Sequence, residues 1–175
     1  MFTTLGRIAP PDTLWVTEAG AHEVPMSEYI HPGAPFSHMS AAGGGLGFGL
    51  PASIGAQLAA PDRPVVAVMG DGSMHYAISA LWTAARYEIP VTVVVVSNAE
   101  YGVLKVFADF EKTPGVPGLD LPGLDITATA ASYGVRSREA RSSDELADMV
   151  QAGIADRDHP SLINVTTSRV DHASA

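Results

Sequence analysis

The sequence contains no cysteine. Disulfides, thiolate metal sites and cysteine nucleophiles are therefore excluded, and a cytoplasmic location is the expectation. Charge is sparse. Asp, Glu, Lys and Arg make up 17% of the 175 residues, and the formal net charge is −9. That balance disfavours nucleic acid or an anionic membrane as a partner. Long apolar runs are missing too: the longest, around "VTVVVV", is far too short to span a bilayer. The opening "MFTTLGRIAPPD" has no basic region followed by an apolar core, so no signal peptide is read there.

What is present is apolar. Hydrophobic residues make up 46% of the chain, enough for a proper core and too many for a disordered one. One domain over residues 1–175 is expected. So little charge also favours a surface partly hidden against another chain.

Apolar runs alternate with helical patterns. Strands are expected at 13–18, 65–70, 91–97, 135–140 and 161–167. Helices are expected at 50–60, 73–88, 126–134 and 142–157. In the second of these, Ile78, Leu81, Trp82 and Ala85 share one face. The last opens on a capping pattern at Ser142 or Ser143, and a glycine stops the third. Strands apolar on both faces that alternate with helices imply an α/β fold, a doubly wound parallel sheet with helices on both faces. Ligands then bind beyond the carboxyl ends of the strands. The segment "KTPGVPGLDLPGLD" (112–125) reads as an ordered loop near the site, or a lid.

Strand ends single out Glu18-Ala19-Gly20, Gly70-Asp71-Gly72 and Ser97-Asn98-Ala99-Glu100. Asp71 and Asn98 are 27 positions apart, one strand–helix–strand unit, so their side chains can meet above the sheet. Both are hard oxygen donors suited to Mg²⁺, which keeps a phosphate oxygen among its ligands. Gly70 and Gly72 allow a sharp bend and close approach. A helix beginning at Ser73 would turn its free N–H groups to the same place and favour an anion.

The stretch "GDGSMHYAISALWTAARYEIPVTVVVVSN" resembles the thiamine-diphosphate-binding motif. "AAGGGLGFGLPASIGAQLA" (41–59) and "YGVLKVFADF" (101–110) extend the likeness to the diphosphate-binding domain of the benzoylformate decarboxylase, acetolactate synthase and pyruvate decarboxylase superfamily. The match covers most of residues 12–167. The resemblance implies Mg²⁺ bound by Asp71, Asn98 and the backbone carbonyl of Glu100. It implies thiamine diphosphate held by Gly70, Gly72, Ser73, Met74 and the backbone of Tyr101, Gly102, Val103 and Leu104. It implies Gly44 and Gly45 beside the aminopyrimidine, and Leu46 wedged between the cofactor's two rings. Leu104 and Phe107 match substrate-pocket residues, and Phe110 either extends that wall or belongs to the core.

Two departures stand out. Ser97 replaces a first asparagine that is not a required ligand. Glu100 replaces a residue that is usually small or neutral, and its side chain either adds negative charge or points to solvent. The family's pyrimidine-binding domain, with its activating glutamate, has no counterpart in 175 residues. The chain is therefore read as the small subunit of a split enzyme, a hetero-oligomer whose partner supplies that glutamate. Lys105 is the only cation near the apolar wall, so an apolar or aromatic 2-oxo acid is favoured over a sulfonate or phosphonate. Sulfopyruvate or phosphonopyruvate decarboxylase-type and acetolactate synthase-like subunits are the alternatives. Of the histidines, His22 is placed near the mouth as a candidate proton relay, and His75 near the diphosphate; His31 and His38 are placed on a loop. Surface or capping roles compete for each. Gly47-Phe48-Gly49-Leu50-Pro51-Ala52 also fits a dinucleotide-binding turn, though Pro51 falls inside it and Asn98 stays unexplained. A non-catalytic scaffold subunit is the remaining alternative.

Overall fold

The computed structural model describes residues 1–113 and 115–169. Residues 170–175 of the single expected domain, and Pro114 of the expected loop or lid, lie outside the described residues. In chain order the elements begin with α1 (Phe2–Ile8), β1 (Leu14–Glu18), a short 3-10 turn (Gly20–His22) and α2 (Glu23–Ser27). Then come β2 (His38–Ser40), α3 (Gly49–Ala59), β3 (Val65–Gly70), α4 (Asp71–Met74), a second 3-10 turn (His75–Ala77) and α5 (Ala80–Arg86). The chain continues through β4 (Thr92–Ser97), α6 (Gly102–Phe110), α7 (Ile126–Ser132), β5 (Arg136–Glu139), α8 (Ser143–Ala155) and β6 (Ser161–Thr166).

The six strands form one sheet in the order β2-β1-β3-β4-β6-β5, and every pairing is parallel. Alternate residues of the central strands feed two cores. Leu14, Val16, Val65, Ala67, Met69, Val93 and Val95 pack with Leu50, Ile54, Leu81 and Ala84 on one face. Trp15, Val66, Val68, Val94, Val96 and Ile163 pack with Phe2, Leu5, Leu146 and Val150 on the other. A parallel sheet covered on both faces forces such continuous apolar strands. The chain leaves β1 toward β2 on one side and β3 toward β4 on the other. That reversal opens a crevice past the ends of β1 and β3, where doubly wound sheets bind ligands.

Local signals explain the outer helices. The Ser142 hydroxyl accepts from the Glu145 amide at 3.1 Å, and the Glu145 carboxylate accepts from the Arg141 amide at 2.8 Å. The Asp125 carboxylate caps α7 through the Ala128 amide at 2.8 Å.

The expected helix over 73–88 is broken into α4, a 3-10 turn and α5. Its two halves answer to different anchors. Ser73 is tied to β1 through the Glu18 carbonyl at 2.5 Å, while Leu81 and Ala84 pack in the α3-side core. The break rotates Trp82 out to 53% exposure, edge-on to Tyr87, and Ala84 takes the buried place. The strand β2 and the helices α1, α2 and α6 were not expected from the sequence. His38 lies on β2, not on a loop, and its Nε2 meets the Thr17 hydroxyl at 3.0 Å.

Candidate cofactor site

A cavity of about 550 Å³ lies at the strand ends, floored by Glu18, Gly70, Asp71, Gly72 and Asn98. The turns after β3 and β4 meet there. One Asp71 oxygen accepts from the Gly72 amide at 2.8 Å, and the other accepts from the Ala99 amide at 2.7 Å. Ala99 has a φ of 57°, so the loop after β4 is held in a conformation side chains seldom adopt. The Asn98 side-chain oxygen accepts from the Glu100 amide at 3.2 Å. Asp71, Asn98 and Glu100 are all buried.

These oxygens keep lone pairs beyond those bonds. Among the described residues, no group of three or more His, Cys, Asp or Glu side chains could hold a metal ion. A cation here would depend on one carboxylate, one amide oxygen, a main-chain carbonyl and oxygens brought by a ligand. That hard, partly external donor set fits Mg²⁺ with a diphosphate.

Gly72 is required by close packing. A Cβ there would stand 2.5 Å from Tyr101 Cε1 and 3.0 Å from Leu121 Cδ1. Tyr101 sits edge-on to Tyr76, with centroids 6.5 Å apart. The Ser73 hydroxyl is occupied by the Glu18 carbonyl and the Gly70 amide. The expectation that a helix from Ser73 would face an anion needs correction. Here α4 is one turn of four residues, and a turn that short has little dipole. The nine-residue α6 instead starts at the cavity, with Gly102, Val103 and Leu104 lining it. The Met74 side chain lies fully buried in the α3-side core and does not line the cavity, so any contact of Met74 with a ligand there would be through its main chain.

Gly44, Gly45, Leu46, Leu104 and Phe107 also line the cavity, and Leu46, Leu104 and Phe107 are each exposed. Phe110, at 79% exposure, lies neither in that lining nor in the core. His22 lines the cavity, next to Glu23, whose carboxylate accepts from the Ala19 amide at 2.9 Å. Burial pushes the His22 imidazole below its ordinary value, opposed by a hydrogen bond to the Ala19 backbone and by the Asp71 and Glu100 carboxylates. His75 and His31 are outside the lining.

The Glu100 side chain is fully buried and turned to Lys105, whose Nζ lies 2.8 Å from its carboxylate. Lys105 also reaches Asp120 at 2.7 Å. Both bonds, Asp120 first, raise the lysine's proton affinity. Glu100 therefore does not point to solvent, and Lys105 is engaged by two carboxylates. The segment after α6 is strapped over this loop. The Tyr101 amide donates to the Leu119 carbonyl and the Leu121 amide to the Ala99 carbonyl, each at 2.9 Å.

Glu18, singled out only as a strand end, has a further role. Its carboxylate accepts from the Gly47 amide at 2.8 Å and from the Gly49 amide at 2.6 Å. Those are the N–H groups that a dinucleotide-binding turn would offer to a pyrophosphate. A carboxylate already fills their place, which speaks against that alternative.

A six-stranded parallel sheet with its cavity at the reversal of strand order is a doubly wound, ligand-binding α/β domain. The profile of the family described as "Thiamine pyrophosphate enzyme, C-terminal TPP binding domain" matches residues 18–165, and the chain belongs to that family. Benzoylformate decarboxylase of Pseudomonas aeruginosa is 40% identical over 171 residues, covering 98% of this chain and 32% of the relative. An acetolactate synthase of Bacillus subtilis is 32% identical over 168 residues, covering 95% and 29%. Among solved structures, the thiamine diphosphate-dependent 4-hydroxybenzoylformate decarboxylase of Rhodococcus jostii superposes with a TM-score of 0.92 at 38% identity, covering 97% of this chain and 32% of the other. The chain thus spans about a third of the length of the relatives it matches. Among the described residues, no helix is long and apolar enough to cross a membrane.

Proposed function

We propose that this chain is the diphosphate-binding half of a thiamine-diphosphate-dependent enzyme that decarboxylates or joins 2-oxo acids. The observation that carries the reading is the junction at Asp71. A buried carboxylate is bonded to the loop that bears Asn98 and Glu100, on the floor of a 550 Å³ cavity. In this reading Asp71, Asn98 and the Glu100 carbonyl hold Mg²⁺. The main chain at Gly72, Ser73 and Tyr101–Leu104, helped by the first turn of α6, holds the diphosphate. Bound thiamine diphosphate supplies a nucleophilic carbon and an electron sink for the pair left behind by CO₂. Leu46 supports the rings. Leu104 and Phe107 keep water from the reacting carbon. His22, held neutral by burial, stands where it can accept a proton.

With Lys105 engaged by Glu100 and Asp120, no free cation among the described lining residues matches a sulfonate or phosphonate. The names of the relatives likewise favour an aromatic or apolar 2-oxo acid. The other half of the cleft, with the activating glutamate, comes in our reading from a pyrimidine-binding partner subunit in a hetero-oligomer. The exposed apolar stripe of α6, with Val103, Leu104, Phe107 and Phe110, supports a covering partner.

The test is Asp71→Ala in the assembled enzyme, assayed for Mg²⁺-dependent cofactor binding and for CO₂ release from benzoylformate. Both are expected to disappear. Retention of both would overturn the half-site reading and favour a scaffold. The isolated chain is expected neither to turn over nor to bind the cofactor tightly, and robust turnover by it would overturn the need for a partner.

A further inference from the structure

Glu18 ends β1 at the reversal of strand order, and it is only 6% exposed. Among the described residues no ion pair reaches it. Its charge faces two amides, Gly47 at 2.8 Å and Gly49 at 2.6 Å, at the start of the eleven-residue α3. A carboxylate in that position caps the helix from outside and suits its dipole. The two bonds follow directly after Leu46. Gly47 has a φ of 97°, which only glycine adopts readily. Gly49 has no room for a side chain, since a Cβ would stand 2.6 Å from Met69 Sδ. Glu18 also works through its main chain: its carbonyl takes the Ser73 hydroxyl at 2.5 Å. One residue thus joins the loop of Gly44, Gly45 and Leu46 to the turn of Asp71 and Ser73.

We propose that Glu18 is a positioning residue, setting the distance between the ring-side loop and the diphosphate-side turn of the cavity. This rests on the reading of that cavity as the thiamine diphosphate site. The chemistry requires a carboxylate, because both of its oxygens accept. A glutamine of the same size accepts at one end only and turns an N–H against an N–H at the other.

The first arm is backbone amide exchange by NMR on the free chain, for wild type, Glu18→Gln and Glu18→Ala. One of the Gly47 and Gly49 amides should exchange at least about tenfold faster in Glu18→Gln, and both in Glu18→Ala, as expected for loss of a charge-assisted bond. Amides of β3 and β4 should keep their wild-type rates. No local acceleration, or uniform acceleration across β3 and β4, overturns the proposal; Glu18→Gln keeps the test decisive if the alanine variant does not fold. The second arm uses the assembled enzyme and compares Mg²⁺–pyrophosphate with Mg²⁺–thiamine diphosphate by calorimetry. Glu18→Gln should bind pyrophosphate within about twofold of wild type yet lose about tenfold or more toward thiamine diphosphate, because only the latter spans both halves. Equal losses for the two ligands overturn the positioning role. A wild type with no preference for thiamine diphosphate over pyrophosphate overturns the reading of the cavity instead, so the two failures are told apart.

Discussion

Gly72→Ala should change the sign of its effect with the residue at position 101. The backbone at Gly72 is not in the left-handed region, so alanine meets no torsional strain there. The obstacle is steric. The new Cβ would lie 2.5 Å from Tyr101 Cε1, 2.9 Å from Cδ1 and 3.0 Å from Leu121 Cδ1. Carbon atoms rest about 3.5–4.0 Å apart, so the ring must retreat by about 1 Å. Tyr101 resists, because its amide is bonded to Leu119 and its ring stands edge-on to Tyr76. Overpacking of this kind costs about 1–3 kcal/mol. Against it, alanine restricts the unfolded chain and contributes about 0.4–1 kcal/mol of stability. The difference is a destabilisation of about 0–2.6 kcal/mol, a fall in Tm of up to about 10 °C. In a Tyr101→Ala, Leu121→Ala background the obstacle is gone, and Gly72→Ala should stabilise by about 0.4–1 kcal/mol. Urea denaturation of the four variants, followed by circular dichroism, measures both steps. Equal destabilisation in the two backgrounds would refute the steric account.

The His22 imidazole should titrate below 6.5 by NMR, because burial disfavours its charged form. The unfolded chain then binds more protons than the folded one, so His22 makes stability rise with pH up to 6.5 and flatten above it; a midpoint above 6.5 would contradict the burial. Lys105→Met should lower Tm more than Asp120→Asn, since Glu100 is fully buried while Asp120 is 59% exposed; the reverse order would show that Asp120 is the partner that counts. Leu146→Ala, fully buried in the second core, should cost about 2–5 kcal/mol by urea denaturation.

The valine runs of β3 and β4 were legible because burial on both faces leaves no polar position to blur them. Asp71 and Asn98 were legible because strand ends converge in a parallel sheet. The strand β2 was not legible: three residues, His38-Met39-Ser40, carry no apolar run and are strands only because Trp15–Thr17 lie alongside. The helix α6 has helical spacing at Val103, Leu104, Phe107 and Phe110, but this stripe lines the cavity or lies exposed and packs in neither core, so no core-facing pattern marks it as a helix. The grip of Glu18 joins partners 29 and 31 residues away through main-chain amides, which carry no side-chain signature. The burial of Glu100 was not legible either: its carboxylate meets Lys105, five residues on, and the same ammonium is shared with Asp120, fifteen residues further, in the segment strapped over the loop.

The two outer strands of the sheet are unlike the inner ones. At one border stand only the three residues of β2. At the other, β5 reads Arg-Ser-Arg-Glu, and Arg136 is held by Asp156. A short border and a charged one are poor templates for an additional strand, so the sheet is protected against edge-to-edge growth into aggregates. Growth by strand addition is thus discouraged at both sides of the sheet.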